Sequence, residues 1–251
     1  MIQIQNIDKS YQDKKVLSEV SFNLPKQKII AIVGSNGAGK STLINIIART
    51  LAMDHGDVLL NGQPIKDIKN NQLSRQLSIL NQSNHLNLRL TVRELVEFGR
   101  FPYSKNRLNK EDLKQVKLAL EITSMTELQD RYLDQLSGGQ RQMAYIAMVI
   151  AQDTPYLFLD EPLNNLDMKK AVQIMKLLET LRDDYGKTIL LVIHDINFVS
   201  CYADYIFALK DGQLIAEGNT VEVINSPILK EIYGMDINIH EINQQRICVY
   251  Y

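Results

Sequence analysis

Cysteine is scarce in this chain. There are two, Cys201 and Cys248, far apart in sequence and in no CxxC pair. That excludes a disulfide framework and a cysteine-built zinc site, and makes a reducing cytosol the simplest setting. Charge of one sign is also lacking, since 28 basic against 29 acidic side chains leave a formal net charge of -1. A nucleic-acid binder relying on global basicity is thereby excluded, although a local patch is not. No apolar run reaches the length of a membrane span. The best, TILLVIHDINFV, is broken by His194 and Asp195. The opening MIQIQNIDKSY alternates apolar and polar residues, the period of a strand, and has no long apolar stretch of the signal-peptide kind. The expected location is therefore the cytoplasm, with any membrane span supplied by another subunit. Internal repeats, low-complexity tracts and flexible linkers are missing as well, so 251 residues fit one large domain or two small ones.

What is present is a hydrophobic share of 45%, enough for a sizeable core. Early in the chain Val20, Phe22 and Leu24 alternate, and VLLNGQPI carries an Asn61-Gly62 hairpin signal, so this part reads as antiparallel. The short apolar runs KIIAIVG, LSIL, YLFLD and TILLVIH suit parallel strands buried on both faces. From 91 to 151 the patterns are helical, as in TVRELVEFGR and KEDLKQVKLALEI. The expected organisation is one domain over 1–251. Residues 1–90 and 152–251 form an α/β core with an N-terminal antiparallel β subdomain, and 91–151 form a helical insertion.

Two glycine loops stand before helices. The first, GSNGAGKS, fits G-x-x-x-x-G-K-[ST] between the strand-like KIIAIV and the helical TLINIIART. Such a loop turns backbone N–H groups toward phosphate oxygens, here along Gly34, Ser35, Asn36, Gly37, Ala38, Gly39, Lys40, Ser41 and Thr42. Lys40 is expected on the β/γ-phosphates and the Ser41 hydroxyl on Mg²⁺. The second loop, Ser137, Gly138, Gly139 and Gln140, opens a segment whose apolar residues Met143, Ile146, Ala147, Ile150 and Ala151 share a helical face. A helix N-terminus of this kind suits an anion.

Further polar residues admit two readings each. In YLFLDEP, Asp160 holds Mg²⁺ through water and Glu161 orients or deprotonates the water attacking a γ-phosphate, or the pair is an acidic turn that ends a strand. His194 bonds the γ-phosphate and the attacking water, or is structural. Gln82 touches Mg²⁺ or water, or is a solvated loop residue. Tyr11 offers an aromatic face to a base, or is a half-exposed hairpin tyrosine. Gly34, Gln82, Asp160 with Glu161, and His194 all end apolar strand-like runs, and open parallel sheets bind ligands beyond those ends. Two other motifs are decoys. NKED at Asn109–Asp112 resembles a guanine-reading element, but it follows YSKNRL and begins a helix, so Asn109 reads as an N-cap. Asp183-x-x-Gly186 follows it, where a GTPase would have it first.

GSNGAGKS, LSGGQ, YLFLDEP and VIHD, in this order, resemble the nucleotide-binding subunit of an ABC transporter over nearly the whole chain. The resemblance implies a P-loop NTPase fold and an ATPase using ATP and Mg²⁺. It also implies a head-to-tail dimer in which the phosphate loop of one copy and the LSGGQ turn of the other, Ser137 to Gln140, hold each ATP. In that frame Gln82 is the Q-loop residue, Tyr11 the adenine-stacking aromatic and His194 the switch histidine. Asp167 closes NNLD, the D-loop, where the family more often has Ser or Thr then Ala in place of Asn164 and Asn165. TVRELVEFGRFPYS, IAMVIAQDTPYLFLDEP and VIHDINFVSCYADYIFALKDGQLIAEG are similar to ATPases of the iron–siderophore, haem and cobalamin importers, the siderophore branch above all. The implied partners are a second copy, an integral-membrane permease and, indirectly, an extracytoplasmic siderophore-binding protein, with no nucleic acid. The implied place is the cytoplasmic face of the membrane, with permease helices received near Gln82 to Arg100. The rival is a soluble non-transport ABC ATPase, such as an iron–sulfur assembly subunit. A non-hydrolysing regulatory module would be damaged at Glu161 or His194, and both are intact.

Overall fold

The computed structural model describes residues 1–82, 88–104 and 107–250. It separates into two compact units, Met1–Ile68 with Thr188–Tyr251, and Lys69–Lys187.

The first unit begins with strands β1 (Ile2–Tyr11), β2 (Lys14–Leu24) and β3 (Ile29–Val33), helix α1 (Lys40–Ile47), and strands β4 (His55–Leu60) and β5 (Gln63–Pro64). β2, β1, β4 and β5 form an antiparallel sheet in that order. Val20, Phe22 and Leu24 all point into the core, as their alternation requires. Between β4 and β5, Asn61 and Gly62 both have positive φ, 52° and 82°, the two-residue turn that matches strand twist. β3 reads IIAIV and is buried at every position, as befits a central parallel strand.

The second unit contains α2 (Asn70–Leu73), β6 (Leu77–Leu80), α3 (Val92–Phe98), α4 (Phe101–Ser104), α5 (Lys110–Ile122), α6 (Gly138–Ala151), β7 (Tyr156–Asp160) and α7 (Met168–Asp183). β6 and β7 pair in parallel. Reciprocal capping boxes start three helices, Thr91 with Glu94 at α3, Asn109 with Asp112 at α5 and Ser137 with Gln140 at α6. The NKED tetrapeptide is therefore a helix cap. Helix α6 is buried on more than the expected face. Ala144, Tyr145 and Val149 are covered while Met143 and Ile150 are only partly so, because α3, α5 and β6 all pack against this helix.

The chain then returns to the first unit with β8 (Thr188–Val192), α8 (Ile196–Tyr202), β9 (Tyr205–Lys210), β10 (Gln213–Asn219), α9 (Thr220–Val223), α10 (Ser226–Tyr233), β11 (Asn238–Ile242) and β12 (Gln245–Val249). Here β8 and β9 flank β3 in parallel and β10 pairs antiparallel with β9. Phe22 of β2 meets Phe207 of β9 with ring centroids 4.0 Å apart, joining the two sheets of this unit. The hairpin of β11 and β12 is fastened to α8 by Asn197. Its side-chain amide donates to Cys248 O at 3.2 Å, and its oxygen accepts from Cys248 N at 2.7 Å. Among the described residues no helix is long and apolar enough to cross a membrane.

Candidate functional site

Each unit gathers part of the expected residues at the carboxyl ends of its parallel strands. In the first unit, Ile32 of β3 is paired with Val192 of β8. Gly34 and His194 each lie two residues beyond that pair, so the phosphate loop and the histidine leave the sheet at the same level. His194 is exposed, and Asp195 behind it caps α8 by accepting from Asn197 N and Phe198 N.

The loop runs through Ser35, Asn36, Gly37 and Ala38 to Gly39, the N-cap of α1. Gly39 has φ 95°, and a Cβ there would stand 2.6 Å from Leu17 Cδ2 and 2.8 Å from Val16 O, so glycine is required by both conformation and space. Lys40 is buried, and its ammonium donates to Gly34 O and Ser35 O at 2.9 Å each. The Lys40 charge is thus held over the loop itself. Ser41 and Thr42 are half-buried in the first turn of α1. No side chain caps α1 and no acidic residue stands in its first turn. Its leading N–H groups, which have no intrahelical acceptor, therefore suit an anion such as a phosphate. Because Val16 and Leu17 of β2 abut Gly39, the β1–β2 hairpin is anchored beside this loop. Tyr11 ends β1, paired with Lys14 and 48% exposed, with the Lys9 ammonium 5.7 Å from its ring centroid.

The second unit repeats the geometry. Leu80 of β6 pairs with Leu159 of β7, and Gln82 and Glu161 each stand two residues further on. Gln82 Nε2 donates to Glu161 Oε2 at 2.6 Å. Asp160 is the buried last residue of β7, whereas Glu161 is half-buried with φ 53°. Asn164 Nδ2 also donates to Glu161 Oε2. Asp167 caps α7 by accepting from Lys170 N at 2.9 Å. At the N-terminus of α6, Gln140 N donates to Ser137 Oγ at 3.3 Å and Ser137 N donates to Gln140 Oε1 at 3.0 Å. The cap thus satisfies part of this end, while Gly138 faces open space.

Four side chains make contacts that the sequence does not announce. Asn164 stands three residues after Glu161, an interval at which a turn returns a side chain. Lys170 Nζ lies 3.2 Å from Ser137 Oγ, and nothing in the spacing announces that contact. Arg100 and Asp112 form a buried ion pair at 3.0 Å, with Arg100 Nη1 also donating to Ala151 O at 2.8 Å. On and next to α3 and α4, Leu90, Glu94, Glu97, Phe98, Phe101 and Leu108 line a cavity of about 270 Å³. Of the stretch 82–100 expected to receive permease helices, residues 83–87 lie outside the described residues.

A family model describing ABC transporters matches residues 17–164. The chain is 53% identical over 251 residues, all of both chains, to the petrobactin import ATP-binding protein YclP of Bacillus subtilis. It is 46% identical over 250 residues, again the full length of both, to the petrobactin import ATP-binding protein FatE of Bacillus anthracis. Among solved structures it resembles a dimeric, post-hydrolysis ATP-binding cassette, MJ0796, bound to ADP and Pi. The TM-score is 0.78 at 30% identity, over 88% of this chain and 99% of that one. Full-length identity of this order, together with the matched family model, establishes that the chain belongs to the ABC transporter family.

Proposed function

We propose that this chain is the ATP-hydrolysing subunit of an importer for an iron–siderophore complex. The observation that carries the ATPase part is the Glu161 carboxylate, held by amide donors at the end of β7 directly after the buried Asp160. The siderophore cargo is supported by full-length similarity to two petrobactin import proteins.

Lys40 neutralises the β- and γ-phosphate oxygens, and the N–H groups from Gly34 to Thr42 hold them. Ser41 and Asp160 would hold Mg²⁺, with Gln82 donating through nitrogen to Glu161 and keeping its amide oxygen for the cation. Mg²⁺ would supply charge neutralisation for the transferred phosphoryl group. Glu161 orients the attacking water and accepts its proton at the carboxylate. His194 donates a hydrogen bond to the γ-phosphate, and Tyr11 stacks on the adenine. Ser137, Gly138, Gly139 and Gln140 meet the γ-phosphate bound by a second copy, with Asp167 at the same interface. The γ-phosphate, shared between two chains, biases the pair toward closure, and its release lets them part.

Phe98 and Phe101, 47% and 54% exposed beside the cavity on α3 and α4, form the landing site for permease helices at the cytoplasmic membrane face. The test is a pull-down of the tagged chain from detergent-solubilised membranes of iron-starved cells. Recovery of a polytopic permease with an iron–siderophore-binding protein is the expected result. Recovery of soluble partners alone would move the chain to the iron–sulfur assembly class and leave the ATPase chemistry standing.

A further inference from the structure

We propose that Asn164 is a positioning residue for Glu161, fixing the orientation of its carboxylate through a hydrogen bond from the Asn164 amide. This rests on the reading of Glu161 as the residue that accepts the water's proton. Two amides converge on one oxygen, Gln82 Nε2 at 2.6 Å and Asn164 Nδ2, both on Oε2. The terminal torsion of a glutamate is broad and roughly two-fold, so an unheld carboxylate spends much of its time misdirected. Hydrogen bonds to an ionised acceptor are among the stronger ones and select a single orientation.

The two donors differ in how they are anchored. Gln82 follows a different strand from Glu161 and is itself a candidate for the cation. Asn164 belongs to the same turn as Glu161, closed by Asn164 N donating to Glu161 O at 3.3 Å and bracketed by the left-handed residues Glu161 and Asn165. Its grip is therefore independent of where Gln82 goes.

The test is steady-state ATP hydrolysis by the full chain with ATP and Mg²⁺, reading kcat and KM separately, for Asn164→Ala, Asn164→Asp and Glu161→Gln. Asn164→Ala should lower kcat about tenfold, the rate equivalent of losing a hydrogen bond to a charged group, with KM within about twofold. Asn164→Asp separates positioning from turn formation, because aspartate serves turns as well as asparagine does. It replaces the donor with an acceptor, so it should lower kcat at least as far as Asn164→Ala does, with KM again within about twofold. Asn164→Ala or Asn164→Asp with kcat within twofold of the parent would overturn the proposal alone, provided Glu161→Gln is inactive. Parental turnover by Glu161→Gln would remove the base itself, and with it anything Asn164 could position.

Discussion

Lys170 of α7 lies across Gly139 of α6. A Cβ on the glycine would stand 2.2 Å from Lys170 Cδ and 2.8 Å from its ammonium nitrogen, which itself stands 3.2 Å from Ser137 Oγ. The LSGGQ turn thus carries a cation from the helix that Asp167 caps. Gly138 has no neighbour within 4 Å of such a Cβ. The two glycines should respond alike in stability and alike in activity, for different reasons. Gly138→Ala meets open space, and Gly139→Ala meets the end of a flexible side chain that can swing aside, so each should cost under about 1 kcal/mol in thermal unfolding. Both should lose most ATPase activity, because on the proposed reading each methyl would stand at the N–H groups that meet the γ-phosphate bound by a second copy. Parental ATPase in Gly138→Ala would remove this turn from the nucleotide site.

The Arg100–Asp112 pair should be a stability determinant of the second unit. Both side chains are at most 5% exposed. Asp112 also caps its own helix by accepting from Asn109 N at 3.0 Å. Removing one partner strands a buried charge, so Asp112→Ala should destabilise by about 3–5 kcal/mol in denaturant unfolding. Arg100→Met combined with Asp112→Leu should cost clearly less than Asp112→Ala. A double variant as unstable as the single would mean that the pair contributes more than mutual neutralisation.

Alkaline pH should destabilise the C-terminal segment from α10 to β12. Burial first, then the neighbouring Cys201 and Asp195, pushes the Cys248 thiol from an ordinary 9.0 up to about 11. Burial likewise pushes the Tyr233 phenol from 10.0 up to about 12. In both cases the folded state keeps a proton that the unfolded chain has lost, so stability is full below the unfolded value and falls as pH rises. The window is about pH 9–11 for Cys248 and 10–12 for Tyr233. Thermal melting followed from pH 8 upward should show this decline, and Cys248→Ala should flatten its first part. A melting temperature that is level from pH 9 to 11 in the parent would contradict it.

The exposed phenylalanines should matter for assembly. Phe101→Asp replaces an apolar ring with a charge beside Phe98 in the lining of the α3–α4 cavity and should sharply reduce recovery of a permease in the membrane pull-down. Because Phe101 is 54% exposed, its melting temperature should stay close to the parent's. Undiminished recovery would place the permease contact elsewhere.

Much of this was legible in the residues, and the boundary has a physical cause. The phosphate loop, the LSGGQ turn and the Asp160-Glu161 pair are local, each defined by spacing along one strand–turn–helix segment. The Asn61-Gly62 hairpin and the Asn109 cap were legible for the same reason. Gln82 beside Glu161 required knowing that β6 pairs with β7, and Gly34 level with His194 required the register of β3 on β8. Those relations depend on strand order, which periodicity does not encode. Arg100 with Asp112, Lys170 with Ser137, and Asn197 with Cys248 join separate elements through single side chains, and no repeat or spacing marks them. The burial of α6 on several sides is not legible either, because one helical stripe does not reveal that three neighbours pack on this helix.

The most direct test of the account is the ATP-dependent association of Glu161→Gln, measured by size-exclusion chromatography with light scattering, with and without ATP and Mg²⁺. With the base removed, ATP should persist and hold two copies together. The account predicts a stable dimer in ATP and a monomer in ADP, and the dimer should be lost on adding Gly138→Asp. A variant that stays monomeric in ATP, or that hydrolyses it at the parental rate, would contradict the claim that two copies of this chain close on a γ-phosphate cleaved with the help of Glu161.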